Sequence, residues 1–298
     1  SMINLEGTLS LPQTLETLGH AAFYRCEKLV GNIVIPPKVD RIYSHTFDQC
    51  RSMDGTLDIQ GNITHVDAYA FRLCDELVGN ITLPWSVEVI DTAAFQFMRK
   101  MDGFLSIPND VRVIGVAAFY YCPKLQGNMF LPDTVEFVGH AAYYMCQSIT
   151  GSIKITSKME KIYSHSFDHM TSADGTLDLG VMITSIDRYA FRACQKLTGD
   201  LDIPNSVDYI GDVAFYLCSR LDGKIHMSRN VEYIGSSAFS LVSKLGGELV
   251  LPTTLETLRP AAFYRCGMLT GSVFISDQID HIGRHAFDFC SSLDGTLT

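Results

Sequence analysis

Three copies of a His-x-x-Asp motif are the residues of this sequence that most resemble catalytic groups. The copies are His45/Asp48, His165/Asp168 and His285/Asp288. Ser44 and Ser164 precede the first two, and Ser, His and Asp together are the residue types of nucleophilic hydrolysis. A serine adjacent to the histidine cannot reach the required nucleophile–base–carboxylate arrangement without special backbone geometry. We therefore interpret the motif as structural, with the aspartate accepting hydrogen bonds from backbone N–H groups.

Histidines on neighbouring repeats indicate a second kind of chemistry, metal binding. His20 pairs with His45 in this way, and His140 with His165. A strand spacing of about 4.8 Å would let two imidazoles share an ion. Only the second pair has a candidate third ligand, His169, and a structural zinc site uses four ligands. Solvated surface histidines are the favoured interpretation, and we expect neither a metal nor another cofactor.

The cysteines all occupy one position, three residues after a repeated aromatic residue. They are Cys26, Cys50, Cys74, Cys122, Cys146, Cys194, Cys218, Cys266 and Cys290. Elsewhere the same position holds Met98, Met170 or Val242, so the position is apolar, and free cysteine behaves as a small hydrophobe. An odd number of cysteines, replaced singly, argues against a disulfide framework. We expect buried free thiols and no disulfide.

An aromatic column with a period of 24 residues defines the elements that must position these side chains. Its members are Phe23, Phe47, Phe71, Phe95, Phe119, Tyr143, Phe167, Phe191, Phe215, Phe239, Phe263 and Phe287. Glycine keeps the same period from Gly7 to Gly271. A fixed period of this length predicts stacked supersecondary units, each touching only its neighbours.

Residues 29–50 show how one unit is expected to fold. Apolar residues alternate around 33–35, which predicts a short strand with one buried face, and Pro36 ends it. Val39 and Ile42 are expected to point inward from an irregular return segment. The segment around Phe47 is too short for an α-helix, so it predicts a 3₁₀ or single helical turn.

The unit L-x-G-x-[LI]-x-[IL]-P-x-x-[VL]-x-x-[IL]-G-x-x-A-F-x-x-C resembles the BspA-like class of leucine-rich repeats. Residues 125–132 (LQGNMFLP) and 114–122 (IGVAAFYYC) are clear instances. The resemblance implies an α/β, β-rich solenoid: a right-handed superhelix with a parallel concave sheet and short 3₁₀ or helical turns on the convex side. It also implies a surface or secreted protein that acts in adhesion and recognition. The extra glycine at position 31 and its equivalents is expected to add a small bulge before the strand.

The unbroken period predicts one solenoid over residues 1–298, with about twelve repeats of 24 residues. A slower period of 120 residues, or five repeats, is also present: residues 45–59 recur at 165–179. It indicates duplication of a five-repeat segment, or a partner that itself repeats. The chain begins and ends inside a repeat, at Ser1–Met2 and Gly295–Thr298, without a polar cap. We therefore expect a fragment of a longer array.

The predicted strands place two groups of candidate partner-binding residues on the concave face. One is aromatic, on three consecutive repeats: Trp85, Phe104 and Phe130. The other is acidic: Asp174, Asp178, Asp200, Asp202 and Asp222. Exposed aromatic residues are typical of an interface, although strands favour aromatic residues in any case. The carboxylates fit a basic partner segment or loosely held divalent cations, or they serve only to keep the sheet soluble.

We therefore expect a non-enzymatic recognition or adhesion module that binds a protein or glycan on its concave face. The alternative is a structural spacer, or an array that associates end to end through exposed terminal repeats. A net charge of −10 argues against nucleic-acid binding. The sequence contains no long apolar run of the kind that would predict membrane insertion.

The sequence leaves two alternatives for the cellular compartment. The family resemblance points to the cell surface or to secretion, whereas nine unpaired thiols suit an intracellular protein. Asn62 and Asn80 begin N-x-[ST] sequons, which could carry glycans in a eukaryotic secretory pathway.

Overall fold

The computed structural model describes residues 5–294, which form a parallel β-solenoid of about twelve coils. These residues divide into two compact units, residues 5–127 with Leu131–Ile149, and Asn128–Phe130 with the residues from Thr150 onward. Ser1–Met2 and Gly295–Thr298, on which the expectation of a fragment depends, lie outside the described residues. No described helix is long and apolar enough to cross a membrane.

Each coil has two places where parallel strands form, and the two differ in continuity. The first, which we name the interrupted ladder, follows the predicted strand and breaks into two-stranded pieces. Its strands are Glu6–Thr8, Lys28–Val30, Ile33–Ile35, Leu57–Ile59, Ile81–Thr82, Leu105–Ser106, Ile153–Lys154, Leu177–Asp178, Leu201–Asp202, Ile225–His226, Gly247–Glu248 and Leu269–Thr270.

The second place, which we name the continuous ladder, runs unbroken through five coils of the first unit and six of the second. The strands of the first unit are Arg41–Ile42, His65–Val66, Val89–Ile90, Val113–Ile114 and Phe137–Val138. Those of the second unit are Lys161–Ile162, Ser185–Ile186, Tyr209–Ile210, Tyr233–Ile234, Thr257–Leu258 and His281–Ile282. The prediction of an irregular return segment here is wrong. Backbone bonds such as Asp91 N–H to the Val66 carbonyl (2.9 Å) join each coil to the next.

The segment around the aromatic column, which we name the turn stack, contains no helix among the described residues, so the predicted 3₁₀ or helical turns are wrong. Ala117 and Tyr121 have left-handed φ values of 55° and 59°, and every coil repeats this pair of positions. Alternate N–H groups therefore leave the coil: those of Ala117, Phe119 and Tyr121 each donate to a carbonyl of the next coil at 2.8 Å. A helix would have kept these donors within the coil.

Inward-facing side chains of all three segments fill the core of each unit. Ile33, Ile42 and Phe47 are fully buried, as are most of their equivalents. Rings of the aromatic column stack in register: those of Phe95 and Phe119 lie 5.4 Å apart with an interplanar angle of 2°. Because no coil can enclose these side chains alone, the apolar surface is buried only when coils stack.

Candidate recognition surface

The outward side of the interrupted ladder carries the aromatic residues that the sequence predicts as partner anchors. Trp85 is 71% exposed and Phe104 is 63% exposed, and both belong to the first unit. Phe130 is 57% exposed and belongs to the second unit. Phe104 directly precedes the strand Leu105–Ser106, Trp85 lies in the turn after the strand Ile81–Thr82, and Phe130 lies outside the described strands. All three side chains are available to solvent.

Reciprocal hydrogen bonds join the coils of this ladder in pairs. The side-chain oxygen of Asn80 accepts the N–H of Phe104 in the next coil at 2.8 Å. In return, Asp102 Oδ1 accepts the N–H of Gly79 in the preceding coil at 3.0 Å. We name this arrangement a clamp. The described clamps are Asn32 with Asp54, Asn80 with Asp102, Ser152 with Asp174, and Asp200 with Asp222.

Glycine has a different task in each coil of a clamped pair. Gly79, in the first coil, has a φ of +84°, a left-handed conformation that glycine adopts at little cost. Gly103, in the second coil, has no such φ, but a Cβ there would lie 2.5 Å from the carbonyl carbon of Gly79. A left-handed φ therefore occurs at some glycines of the column and not at others, and the bulge before the strand stays a prediction.

Clamps explain why the ladder is interrupted. Within a pair, Ile33 lies opposite Leu57, which is its equivalent in the next repeat. Between pairs the pairing slips, because Thr56 lies opposite Val78 and not opposite its own equivalent, Asn80. The first residues of the four clamps are Asn32, Asn80, Ser152 and Asp200. Successive clamps therefore begin two, three and two repeats apart. A five-repeat block thus contains two clamped pairs and one further coil.

Two grooves of the second unit lie where the ladder is interrupted. The first, the acidic slot, has a volume of about 490 Å³ and separates Leu177–Asp178 from Leu201–Asp202; Asp178, Asp200 and Asp202 line it. The second, the basic slot, has a volume of about 470 Å³ and is lined by Lys224, His226, Arg229, Glu248 and Val250, among others. The break in strand pairing thus opens the sheet at both places.

The structure divides the five aspartates predicted as an electrostatic site. Asp174, Asp200 and Asp222 are clamp residues, each accepting a backbone N–H from a neighbouring coil at 2.7–3.0 Å. Asp178 Oδ1 accepts the N–H of Gly180 at 2.9 Å, and Asp202 contacts the imidazole of His226. Only Asp178, Asp200 and Asp202 come together, around the acidic slot.

The His-x-x-Asp motif forms ties between coils. Asp48 is fully buried and accepts two hydrogen bonds from the guanidinium of Arg72, each 2.9 Å long, from the next coil. His45 Nδ1 contacts the same carboxylate at 2.7 Å, and its ring stacks on Tyr69 at 4.8 Å. The partner of the aspartate is thus an arginine, where the sequence predicts backbone N–H groups. The hydrogen bond to Asp48 raises the pKa of Arg72, which keeps the buried carboxylate paired with a cation.

A hydrolytic triad does not form at the first motif. Ser44 Oγ lies 2.7 Å from His20 Nδ1, while His45 Nδ1 contacts Asp48. Ser44 and Asp48 therefore contact two different histidine side chains, His20 and His45. The same geometry bears on the metal hypothesis, because His20 and His45 each have a separate partner. Within residues 5–294, no group of three or more His, Cys, Asp or Glu side chains has an arrangement that could hold a metal ion.

Arg72 and Arg192 are the residues that sequence reasoning missed. Asp168 repeats the tie in the second unit: Arg192 contacts it through two bonds of 2.9–3.0 Å, and His165 and His169 contact it at 2.6 and 2.7 Å. A usable signal was present, since each arginine lies one repeat after its aspartate and the pair recurs five repeats later.

The cysteine side chains are free and buried, and those with a described partner donate to backbone carbonyls. Cys122 Sγ–H, for example, donates to the carbonyl of Phe95 across the turn stack at 3.1 Å. Burial raises the pKa of Cys122 to about 12. A protonated thiol is a poor nucleophile and a poor metal ligand. These side chains therefore act as core residues.

Comparison with known proteins agrees with this geometry. The sequence matches the family described as BspA type leucine-rich repeat region in six copies, over residues 3–126, 114–245 and 175–294. Among curated proteins, none matches it significantly.

Similar solved structures are bacterial leucine-rich repeat proteins. A leucine-rich cell surface protein from Faecalibacterium prausnitzii A2-165 is 22% identical, with a TM-score of 0.55 over 97% of this chain and 86% of that one. A leucine-rich repeat protein from Bacteroides ovatus ATCC 8483 is also 22% identical, with a TM-score of 0.48 over 92% of this chain and 80% of the other. The first likeness supports the fold, and the repeat match covers nearly every coil. This chain belongs to the BspA type leucine-rich repeat family.

Proposed function

We propose that this chain is a non-enzymatic recognition or adhesion module of the cell surface, which holds a protein or glycan partner on the outward side of the interrupted ladder. The observation that carries the proposal is the exposure of Trp85 (71%) and Phe104 (63%), of which Phe104 lies on backbone fixed by a clamp. Large aromatic side chains gain most when a partner covers them, and interface hot spots are rich in tryptophan.

A scaffold of this kind separates stability from specificity. Inward columns, the turn stack and the clamps hold the coils together, so outward residues of the interrupted ladder that hold no clamp can vary with little cost to the fold. Trp85, Phe104 and Phe130 are our proposed apolar anchors. Of the five aspartates, Asp178 and Asp202 are best placed to meet a partner, because the other three hold clamps.

Localisation at the cell surface is supported by the name of the similar protein from Faecalibacterium prausnitzii, a leucine-rich cell surface protein. A recognition role, rather than catalysis, is supported by how the candidate catalytic groups are used. Buried Asp48 and Asp168 are tied to arginines, and Ser44 and His45 have separate partners.

The proposal is tested with two probes, a phage-displayed library of random peptides and a printed glycan array. Binders of the wild-type chain are then measured against the double variant Trp85→Ala/Phe104→Ala. The control is Phe289→Ala, because Phe289 is also exposed (65%) but lies on the turn stack. We expect the double variant to bind at least tenfold more weakly than the wild type. The control variant should bind as tightly as the wild type.

Two outcomes would overturn the proposal. If the double variant binds as tightly as the wild type, Trp85 and Phe104 are not partner anchors. Absence of any binder from both probes, with concentration-dependent self-association in sedimentation, favours the alternative of a self-associating array.

A further inference from the structure

A row of outward side chains crosses the coils of the second unit, one residue per coil. In order it consists of Phe130, Lys154, Asp178, Asp202, His226, Val250 and Phe274. All seven belong to the interrupted ladder or its direct equivalents, at intervals of one repeat. The row is acidic at its centre, has Lys154 and His226 on either side of the centre, and is apolar at both ends.

The acidic slot lies at the centre of this row. Leu177–Asp178 and Leu201–Asp202 are neighbours in the stack, yet the described strands there belong to separate two-stranded sheets. The N–H of Thr198 instead donates to the carbonyl of Gly175 at 2.9 Å, the same slipped pairing that separates other clamped pairs. Asp178, Asp200 and Asp202 therefore line an opening that a partner side chain can enter.

Lys154 and His226 flank the carboxylates, and neither lines the slot. Lys154 lies opposite Asp178 in the strand register, on the coil before, and His226 contacts Asp202 from the coil after. Three aspartates thus line the slot, and two of them, Asp200 and Asp202, also contact the following coil. A cationic group that entered the slot would be attracted by the negative charge of its lining.

Apolar side chains stand at equal distances from the slot. Phe130 and Val250 are 57% and 64% exposed, and each lies two and a half coils from the slot centre. At about 4.8 Å per coil, that separation is about 12 Å. In an extended peptide, side chains four residues apart lie on the same face and are separated by about 13 Å. The two spacings agree.

We propose that this row binds an extended polypeptide segment that crosses the coils, with a lysine or arginine in the acidic slot and apolar side chains four residues before and after it. The inference rests on the proposed function and names the partner class of the same surface. Charge complementarity at the centre selects a peptide with a basic side chain over a neutral glycan.

The test uses a labelled synthetic peptide, Leu-Ser-Thr-Ser-Lys-Ser-Thr-Ser-Leu, with binding to the full chain followed by fluorescence anisotropy. Replacing the central lysine by glutamine should weaken binding at least tenfold, and replacing it by glutamate should abolish it. Moving the leucines to two residues from the lysine should weaken binding severalfold. These peptides need no change in the protein, so protein folding cannot confuse the result.

Protein variants supply the second arm. Asp178→Asn/Asp202→Asn should weaken binding at least tenfold, while Asp208→Asn, an exposed control outside the row, should not change it. Equal binding of the lysine and glutamine peptides, or equal loss in the Asp208 control, would overturn the inference. A glycan that binds the chain and is lost with Asp178→Asn/Asp202→Asn would overturn it too. If these peptides fail while other binders depend on Trp85 and Phe104, the proposed function stands and this inference alone falls.

Discussion

The two strand ladders come from the same repeat, yet one is unbroken within each unit and the other is cut into pairs. In the continuous ladder, every described strand pairs with the equivalent residues of the next coil, as Val113 does with Phe137. In the interrupted ladder, an in-register pair such as Ile81 and Leu105 is followed by slipped pairing, Phe104 with Gln126.

The difference shows that a regular sequence period does not produce equal interfaces between coils. Clamps favour one interface and leave the next one slipped, so openings form on one side of the coil only. The continuous ladder and the turn stack supply stability, and the interrupted ladder supplies exposed side chains and slots. Four changes would break or sharpen this contrast.

The largest effect should come from the turn stack. Phe95→Ala empties a fully buried position whose ring stacks on Phe71 and Phe119, each at 5.4 Å. We expect a loss of about 3–5 kcal/mol in the free energy of unfolding. Phe104→Ala, on the outward side of the interrupted ladder, should cost less than about 0.5 kcal/mol. Urea denaturation followed by circular dichroism measures both, and similar losses would remove the distinction between the two sides.

A smaller loss should follow when a buried tie is cut. Asp168→Asn removes the charge that faces Arg192, and we expect a loss of about 3 kcal/mol. Asp288 has the same motif and contacts His285, but its side chain is 48% exposed, so Asp288→Asn should cost less than about 1 kcal/mol. Thermal denaturation of the two variants side by side is the measurement. A cost at Asp288 equal to that at Asp168 would show that burial does not decide the effect.

The clamp should contribute less than the buried tie. Gly103→Ala forces a methyl group against Asn80 and the backbone of Gly79, and we expect a loss of about 2 kcal/mol. Gly19→Ala is the matched control, because a Cβ at Gly19 meets no atom within 4 Å. Hydrogen exchange of the Phe104 amide, which donates to Asn80, should accelerate only in the Gly103 variant. Unchanged exchange there would mean that the clamp does not hold the pair together.

The smallest effect concerns the left-handed positions of the turn stack. Ala117 has a φ of 55°, so Ala117→Gly should leave stability unchanged or raise it by up to about 1 kcal/mol. Ala118 is buried and has no left-handed φ, so Ala118→Gly should lose about 1–2 kcal/mol. Differential scanning calorimetry measures the stability of both variants. If Ala117→Gly loses as much stability as Ala118→Gly, the left-handed φ of Ala117 is not strained.

Which parts of this fold the sequence predicts depends on how local the signal is. Alternation around Ile33 and the unbroken aliphatic column at Ile42 predict the buried side chains, because burial selects residue type directly. The strand at Arg41–Ile42 escapes prediction because two residues cannot show alternation. The backbone of the turn stack could not be predicted because residues such as Ala117 adopt a left-handed φ although they are not glycine. The local sequence carries no signal for that conformation.

The candidate surface is predictable only in part, for a similar reason. Exposure of Phe104 follows from alternation with the buried residues of its segment, whereas Trp85 lies in the turn just past its strand. The separate roles of the aspartates depend on which coil each one contacts. Asp102 and its equivalents precede glycine in the second coil of a pair, whereas Asn80 and its equivalents follow glycine in the first. That contrast emerges only when neighbouring repeats are aligned against each other.

The clamps also bear on how such a gene can lengthen. Duplicating a single repeat would insert a coil whose polar side chain lacks its reciprocal acceptor or donor next door. Copying five repeats carries two complete clamps and the intervening coil, so the joins at both ends of the insert resemble joins already present. The 120-residue period of the sequence matches copying in such blocks.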